Sequence, residues 1–485
     1  MLDQLKEPLL INTGDTDNPT PVSQAILAGY APGNELYTYK DYPEITHQEL
    51  AALQDKDYPT IFHEVTKKLL GSAIPNEVQR TTAKDAYSRD NFDLDEDGSL
   101  RFNTLPSGVH IVGLSDGPTG AFKDMAMQPL ARWMSHLQQQ KGDPLTIMLA
   151  TSGDTGPAAL NAFAGLSNTE IINMLPKKGV SQFQWAQMAE LADQDGVHVL
   201  EVAGDFSYIN DLHMAADLAY DLGSANSVNI ARIIAQVPYY FASYLKAIKL
   251  ENKEIGDPVD VSVPSGNFGN ALSAIIARKM GLPLKNIIVA TNENNTLDTL
   301  IRSGVFQLTE FRHTNSSAQD VKMPSNVWRY FAMMFGNDTE KIAKVYTELR
   351  DVGSVAISDI GVVDESVRQG VLSVTITGKD RARIITQVYN ASGPNQTIMD
   401  PHTANGVAAV DLLSAKDPNV PMLSMETAKP FKFNEAIMQI LGIVPPRPKR
   451  FRGLEQRQNR KVLTQIANLD ELVAYLKEHT QAKPK

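Results

Sequence analysis

One unit recurs along this sequence from about residue 107 onward: a short apolar strand, a glycine-rich loop and a helix. Three copies carry their loops at 115–120, 151–156 and 264–270. Strands that alternate with helices of this length predict a parallel α/β architecture. In such sheets ligands bind at the carboxyl ends of the strands, which is where these loops lie. The repeat therefore predicts the fold class, α/β, and also the edge at which a functional site would form.

The composition limits what the chain can bind. At roughly 100–200 residues per domain, the 485 residues suggest about three domains, and their 42% hydrophobic content is typical of a globular protein. The absence of cysteine excludes cysteine nucleophiles and cysteine-ligated metals. A formal net charge of −11 disfavours nucleic acid as a partner. We find no signal-peptide pattern and no apolar run near the roughly 18 residues of a membrane span, so we predict a cytoplasmic protein without a membrane partner.

Composition and turn signals also suggest how the chain is divided. Residues 1–95 predict a mixed, mainly helical N-terminal domain that ends at the acidic turn 93–99. That turn lacks the closing glutamate of a calcium loop, so we predict no metal site. Residues 96–440 predict a core of two α/β lobes, the smaller at roughly 130–230. Residues 441–485 predict a C-terminal segment and a helix that packs on the core.

The loop PSGNFGN at 264–270 has the features of an anion site. Gly266 and Gly269 allow the backbone to bend and to approach a ligand closely. Free N–H groups at the following helix N-terminus favour an anion, typically a phosphate. The spacing matches neither a P-loop nor a dinucleotide fingerprint, and an ordinary tight turn is the alternative interpretation.

The loop at 151–156 places hydroxyl groups and a carboxylate in one short arc. Ser152, Asp154 and Thr155 follow a predicted strand and precede a predicted helix. Such side chains cap their own helix in many proteins, with Ser152 or Asp154 as the N-cap here. They can equally hold the carboxylate of a substrate, and the loop alone does not distinguish the two.

Lys123 lies just after the glycine-proline turn of the first loop, beside Phe122. A lysine that forms a Schiff base must be partly desolvated, so that its pKa falls and neutral amine is available. A single lysine is usually a solvated surface charge, but three loops that converge on one sheet edge favour a functional role. Pro129, six residues further on, predicts a kink in the next helix or its end near Gln128.

A series of motifs in order resembles the threonine synthase family. These motifs are SQAILAGYAPGNELY (23–37), GPTGAFKD (117–124), ATSGDTG (150–156), NSVNIARIIAQVPYYF (226–241), VPSGNFGN (263–270), IVATNEN (288–294), DPHTANG (400–406) and METAKPFKF (425–433). The resemblance extends from about residue 10 to the 440s. It implies a fold-type II pyridoxal-phosphate (PLP) enzyme similar to the tryptophan synthase β subunit, working as a monomer or homodimer. The implied activity is that of a lyase of threonine biosynthesis, which converts O-phospho-L-homoserine and water to L-threonine and phosphate.

The resemblance also assigns roles to single residues. Lys123 is similar to the Schiff-base lysine of the family, and Thr427 to the hydroxyl that bonds the pyridine nitrogen. The cofactor-phosphate loop corresponds to Gly266, Asn267, Phe268, Gly269 and Asn270. Two departures are that many members have Asp at the position of Asn270 and His at the position of Asp116.

The candidate residues for binding the substrate rest on less specific motifs than those for the cofactor. Ser152, Asp154 and Thr155 are the candidates for holding the amino-acid end of the substrate. The candidates for its phosphate are Arg232, Lys322 and His402. Each of these three has an alternative: a helix-surface ion pair for the arginine, solvent for the lysine, and ordering of its own Asp-Pro turn for the histidine.

Three other functions are weighed against this one. A serine or threonine dehydratase also has a Schiff-base lysine and a glycine-rich loop. It is not expected to have the long N-terminal segment or the GNFGN and DPHTANG motifs. A catalytically silent relative is disfavoured because Lys123 and Thr427 are both present. The basic stretch at 447–461 could bind nucleic acid, but with Phe451 as its one aromatic residue we expect a solvated or internally paired segment.

Overall fold

The computed structural model describes residues 6–151, 153–177, 180–204, 206–414, 417–456 and 463–485. The N-terminal part combines an antiparallel sheet in the order β2-β1-β3 with four helices. Its elements are β1 (Leu9–Asn12), β2 (Asp15–Pro21), α1 (Val22–Ala28), β3 (Tyr37–Tyr39), α2 (His47–Ala52), α3 (Tyr58–Leu70) and α4 (Asn76–Ala86). Thr46 and Glu49 form a capping box at the start of α2, which satisfies otherwise free N–H groups there.

Next come the first core strands and the smaller of two parallel sheets. These elements are β4 (Phe102–Thr104), β5 (Val109–Val112), α5 (Asp124–Lys141), β6 (Leu145–Ala150), α6 (Thr155–Phe163), β7 (Thr169–Pro176), α7 (Gln182–Leu191), β8 (Val197–Val202), α8 (Phe206–Ala219), β9 (Tyr220–Ser224) and α9 (Ile230–Leu250). Strands β8, β7, β6 and β9 lie side by side and parallel. Every residue of β6 is buried, as expected for a parallel strand covered on both faces.

The remainder of the core completes the larger sheet. Its elements are β10 (Val259–Pro264), α10 (Gly269–Lys279), β11 (Leu284–Thr291), α11 (Thr296–Ser303), β12 (Val305–Gln307), α12 (Val327–Met334), α13 (Thr339–Val352), β13 (Ser354–Ala356), α14 (Ile357–Ile360), α15 (Glu365–Arg368), β14 (Val371–Thr375), α16 (Gly378–Ala391), α17 (Pro401–Leu412), β15 (Met422–Met425) and α18 (Asn434–Leu441). The order is β14-β11-β10-β15-β5-β4, parallel except for β4. The predicted parallel α/β architecture is confirmed.

The C-terminal segment returns to the smaller sheet and covers both of its edges. Its elements are β16 (Thr464–Ile466), α19 (Leu469–His479) and β17 (Lys483–Pro484). β16 pairs with β8 at one edge and β17 with β9 at the other. Leu472 and Leu476 bury the helix against the sheet, and Asn468 caps it as its sequence predicts. Unpaired strand edges invite association with other chains, and this segment covers them.

No helix in the described ranges has both the length and the apolar character needed to cross a membrane. One apolar cluster runs from the N-terminal helices into the core, where the Phe62 ring stacks on Trp133 with their centroids 5.9 Å apart. The N-terminal part therefore packs on α5, the helix that follows Lys123.

Helix α5 continues past Pro129 rather than ending near Gln128. Proline has no N–H, so the carbonyl of Met125, four residues earlier, loses its helical donor. The Tyr87 hydroxyl replaces that donor at 2.6 Å from the Met125 oxygen. A contact from the N-terminal part thus allows the helix to continue where the sequence predicted a kink or an end.

Replacing Tyr87 with Phe should lower the free energy of unfolding by about 1–3 kcal/mol, because a buried carbonyl loses its donor. Urea unfolding measures the loss. In a Pro129→Ala background the restored N–H should make the same Tyr87→Phe change less costly. Equal losses in both backgrounds would mean that the hydroxyl does not compensate for the proline.

Candidate active site

The three glycine-rich loops lie at carboxyl ends of parallel strands, as their positions in the sequence predicted. The loop at 115–120 and the Lys123 that follows it, together called the lysine loop, come after β5. The loop at 264–270, called the anion loop, comes after β10. Only β15 separates these strands in the larger sheet, and the segment 426–429 follows it directly. The loop at 151–156 follows β6 in the smaller sheet. The lysine loop, the segment after β15 and the anion loop are therefore neighbours at one sheet edge.

Backbone hydrogen bonds hold the lysine loop against the segment after β15. The N–H of Phe122 donates to the Thr427 carbonyl at 2.8 Å, and the N–H of Lys429 donates to the Gly120 carbonyl at 2.9 Å. The Thr427 hydroxyl lies 3.4 Å from the hydroxyl of Thr403, which also accepts the Thr427 N–H at 3.0 Å. Lys123 and Thr427 are thus placed relative to each other by backbone contacts.

Charged side chains reinforce this junction. The ammonium of Lys429 lies 2.7 Å from Asp116 Oδ1 and 2.8 Å from Glu426 Oε2. Burial alone would lower the pKa of Lys429, but Glu426 and Asp116 more than offset this and raise it. Asp116 is the residue that departs from the family turn, and the structure gives it a partner.

Lys123 immediately precedes α5, and its amine lies 4.5 Å from the centroid of the Phe122 ring. The side chain is half-buried. Burial lowers the pKa of Lys123 to about 8, with Asp154 opposing the change and Arg232 and Lys432 adding to it. An amine with this pKa is neutral in an appreciable fraction of molecules near neutral pH, as the Schiff-base role requires.

Lys432 is a site residue that the sequence analysis missed. Its ammonium is buried and bonds Asp154 Oδ1 at 3.0 Å, the Thr119 carbonyl at 2.9 Å and Gln187 Oε1 at 3.0 Å. It therefore joins the turn after β15 to the lysine loop and to the smaller lobe. The available signal was a second lysine in KPFKF, between two phenylalanines, where a solvated charge is unexpected.

Asp154 carries a buried negative charge in the loop after β6. Burial opposes that charge, but Lys432, Lys123 and Gln184 together lower the pKa of Asp154 to about 2. Gln184 donates to its Oδ1 at 2.8 Å. Asp154 occupies the N-cap position of α6 without making a side-chain cap bond. For Asp154, the geometry therefore favours a role in the charge network over the capping interpretation.

The other two residues of that loop are less informative. Thr155 is half-buried at the first position of α6. Ser152, the third predicted member, lies outside the described residues. Of the predicted trio, the structure thus connects Asp154 alone to the charges around Lys123.

The loop at 264–270 contains three consecutive backbone donors without a protein acceptor. Within the part of the chain that the structure describes, the N–H groups of Gly266, Asn267 and Phe268 meet no protein acceptor. Phe268 adopts a left-handed conformation at φ 65°, uncommon for a non-glycine residue, and its buried ring packs edge-on against Tyr330. Free amides followed by a helix N-terminus fit an anion, as the sequence predicted.

Arg232 lies in the first turn of α9 and is buried, with 4% of its surface exposed. Its Nη1 donates to the Ala225 carbonyl at 3.3 Å, while its Nε has no partner among the described residues. Burial lowers the pKa of Arg232 to about 10. A surface ion pair, the alternative interpretation, is therefore wrong, because the guanidinium is buried and pairs with no carboxylate among the described residues.

The two remaining phosphate candidates are less available to a ligand. Lys322 has an exposed side chain. His402 is buried, and its Nδ1 donates to Asp400 Oδ1 at 2.8 Å while its Nε2 accepts from the Ala318 N–H at 3.0 Å. Both ring nitrogens are thus engaged, and the histidine orders its own Asp-Pro turn.

The described part of the basic C-terminal stretch is paired within the protein. Arg447 lies 2.6 Å from Glu455, and Arg450 donates to the Gly117 carbonyl at 2.7 Å. Phe451 is buried against the rings of Phe183 and Phe431. The stretch was predicted to be solvated or internally paired, and up to residue 456 it is both, since Lys449 and Arg452 are exposed while Arg447 and Phe451 contact the protein. Residues 457–462 lie outside the described ranges.

Lys123 in the apoprotein should react with an amine-acylating reagent half-maximally near pH 8 rather than near 10.5, because the neutral amine is the reactive form. Lys432→Met removes a positive neighbour and should move this midpoint to higher pH. Asp154→Asn removes a negative neighbour and should move it to lower pH. Mass spectrometry of the Lys123 peptide measures the rate.

Lys249→Met serves as the control, because Lys249 is an exposed lysine at the far end of α9. It should leave the midpoint unchanged. General loosening of the fold would shift both site variants toward the ordinary lysine pKa. Shifts of the same sign in Lys432→Met and Asp154→Asn would therefore contradict the charge network.

Sequence comparisons connect this geometry to known proteins. The family profile "Threonine synthase N terminus" matches residues 10–87, and "Threonine synthase, C-terminal" matches residues 403–475. A threonine synthase from Methylobacillus glycogenes is 34% identical over 451 residues, which cover 90% of this chain and 93% of that protein. One from Corynebacterium glutamicum is 31% identical over 459 residues, 92% of this chain and 93% of that protein.

Solved structures agree with this. A PLP-bound threonine synthase from Brucella melitensis is 30% identical, covers 97% of this chain and 99% of its own, and has a TM-score of 0.88. Yeast threonine synthase is 27% identical with a TM-score of 0.86, covering 97% and 98%. A threonine deaminase from Solanum lycopersicum, 14% identical with a TM-score of 0.51 over 86% of this chain and 94% of its own, shares the fold alone.

These likenesses confirm the predicted fold type, enzyme class and cofactor. They also agree with the order of the motifs, which extends across both profile matches. With 34% identity over nearly the whole of both proteins, this chain belongs to the threonine synthase family.

Proposed function

We propose that this protein uses PLP to convert O-phospho-L-homoserine and water to L-threonine and phosphate. The observation that carries the proposal is the half-buried amine of Lys123, whose pKa is lowered to about 8 partly by Arg232, a buried guanidinium whose Nε has no partner among the described residues. A nucleophilic amine near an incompletely paired buried cation suits an amino-acid substrate that carries a phosphate.

The residues present fit the cofactor. Its phosphate would be held by the free N–H groups of 266–270, where a buried donor, Asn270 Nδ2, has no acceptor in the described chain. Its aldehyde would meet the Lys123 amine, and its ring nitrogen the Thr427 hydroxyl. When bound, PLP supplies an aldehyde that combines with amines and a conjugated ring that accepts electrons from the adjacent carbon.

Lys123 carries protons in this proposal. With a pKa of about 8, its amine takes up a proton near neutral pH and releases it again at little cost. The Phe122 ring beside it and the burial around it limit the access of bulk water. The backbone bonds to the Thr427 segment hold the amine in one place while the substrate loses its phosphate and gains the hydroxyl of water on the neighbouring carbon.

Arg232 is the proposed ligand of the substrate phosphate. Among the three candidates from the sequence, its side chain is the one that is both buried and incompletely paired, while Lys322 is exposed and both nitrogens of His402 are engaged. Asp154 and Thr155, with Ser152 as predicted, would hold the amino-acid end of the substrate. Lys432 keeps Asp154 charged and in place.

The proposal also includes the domain boundaries, the oligomeric state and the location of the protein. We retain domain boundaries near residues 95 and 440, a monomer or homodimer, and a cytoplasmic location, all as predictions from the sequence. The partner in the reaction is a small molecule. Light scattering on the purified protein at several concentrations would measure the oligomeric state.

The purified protein with PLP should release phosphate and L-threonine in equal amounts from O-phospho-L-homoserine. Lys123→Ala should abolish the release, because both the aldehyde partner and the proton carrier are lost. Borohydride reduction followed by mass spectrometry should show the cofactor attached to the Lys123 peptide in the wild type. Lys249→Ala, an exposed lysine, is the matched control and should remain active.

A dehydratase is distinguished in the same assay. It would release ammonia from threonine or serine and leave O-phosphohomoserine unchanged. Consumption of free threonine without phosphate release would therefore replace the proposed function with its rival.

Arg232→Gln should reduce kcat/KM for O-phosphohomoserine by about 10- to 100-fold, since a charge-assisted bond to phosphate is removed. PLP absorbance should show that the cofactor is retained. The effect should appear mainly in KM if the guanidinium binds the phosphate equally in the ground and transition states, and mainly in kcat if it binds the departing phosphate more tightly. An unchanged kcat/KM would remove Arg232 from the site.

A further inference from the structure

Two adjacent tyrosines of α9 converge on one side chain of the anion loop. The hydroxyls of Tyr239 and Tyr240 both donate to Asn270 Oδ1 at 2.5 Å, and the Tyr240 hydroxyl also lies 2.9 Å from the Asn270 carbonyl. All three side chains are buried. Contacts this short suit O–H···O bonds better than N–H···O bonds, which places the amide oxygen toward the tyrosines.

Both hydroxyls remain donors across the working pH range. Burial raises the pKa of Tyr239 and Tyr240 well above the ordinary tyrosine value. Two donors fill both lone pairs of the Asn270 amide oxygen. The Asn270 side chain thus has one orientation, and its amide oxygen is joined to α9 by two hydroxyl donors.

The position of Asn270 explains why its bonds to the two tyrosines affect the anion loop. Asn270 is the second residue of α10, directly after Gly269 and the left-handed Phe268. The preceding amides have no acceptor within the described chain, so the loop lacks internal backbone bonds that would fix its shape. On the other side, Asn326 Nδ2 donates to the Asn267 carbonyl at 3.1 Å. The loop is therefore held from outside, by Asn326 at one end and the tyrosine pair at the other.

We propose that Tyr239 and Tyr240 are positioning residues for the phosphate of the cofactor. They touch Asn270, and through it they keep the amides of 266–270 aimed at one anion position. The inference rests on the proposed function, because it takes PLP as the source of that anion. It gives the tyrosines a binding role that ring packing alone would not supply.

The test compares two ligands that differ by the phosphate. Tyr239→Phe, Tyr240→Phe and the double variant keep both rings and remove the hydroxyls. Equilibrium titration of the full-length apoprotein with PLP should show an affinity about tenfold or more lower for the double variant, and a smaller loss for each single change. Affinity for pyridoxal, which lacks the phosphate, should stay unchanged.

Tyr244→Phe is the matched control. Tyr244 lies on the same helix, but its hydroxyl donates to the Asp257 carbonyl at 3.0 Å, away from the loop. Its loss should leave PLP affinity unchanged. Thermal unfolding of each apoprotein shows whether a variant is destabilised in general, and the single variants serve if the double variant does not fold.

A coupling experiment tests whether the tyrosines act through Asn270. In an Asn270→Leu background, the double tyrosine change should cause no further loss of PLP affinity, because the bonds are already absent. An additive loss would overturn the proposed route.

The remaining outcomes overturn the inference, either alone or together with the proposed function. Equal weakening of PLP and pyridoxal, or PLP affinity in the double variant that matches Tyr244→Phe, overturns the inference. If the wild type binds PLP and makes threonine while the tyrosine variants bind PLP normally, this inference alone fails. If the wild type does not bind PLP, the proposed function fails and the inference fails with it.

Discussion

The charge cluster around Lys123 is the interaction on which the rest of the site depends. A lysine amine becomes a nucleophile by losing solvent, but an isolated buried charge is too costly to keep. Here Lys123 feels the charges of Asp154, Arg232 and Lys432, and Asp154 in turn pairs with Lys432. The arrangement lowers the pKa of one lysine, keeps the aspartate ionised and leaves positive charge in excess. In a chain with a net charge of −11, that local excess draws anions to this edge of the sheet.

Two lysines of one short motif hold the lysine loop in place. In KPFKF, Lys429 bonds Asp116 at the start of the lysine loop, and Lys432 bonds the Thr119 carbonyl near its end. The backbone bond between Phe122 and Thr427 adds a third contact between the two segments. The turn after β15 therefore fixes the position of the lysine loop. Lys432 also connects this turn to Asp154 in the smaller lobe.

The anion loop is built on a different principle. Its amides are left free, so they can bind a ligand but cannot stabilise the loop itself. Its shape comes from neighbours: Tyr330 against the Phe268 ring, Asn326 on the Asn267 carbonyl, and two tyrosine hydroxyls on Asn270. A site that must offer unpaired donors thus places its supporting bonds in the layer behind them.

The sequence by itself determined the elements and the loops that carry the chemistry. Apolar strands, glycine turns and helix periodicity are local patterns, so β5, β6, β10 and the loops that follow them could be read directly, while the role predicted for Lys123 came from the resemblance to a family. The sequence could not show that Lys432 pairs with Asp154, that Arg232 is buried without a carboxylate, or that His402 is bonded at both nitrogens. It also left open whether α5 would end at Pro129. The donor that replaces the missing N–H is the hydroxyl of Tyr87, which directly follows α4 in the N-terminal part. Burial and pairing depend on which distant segments the sheet order brings together. Only the tertiary structure decides them, because the free energy of a buried charge or carbonyl depends on partners far away in the chain.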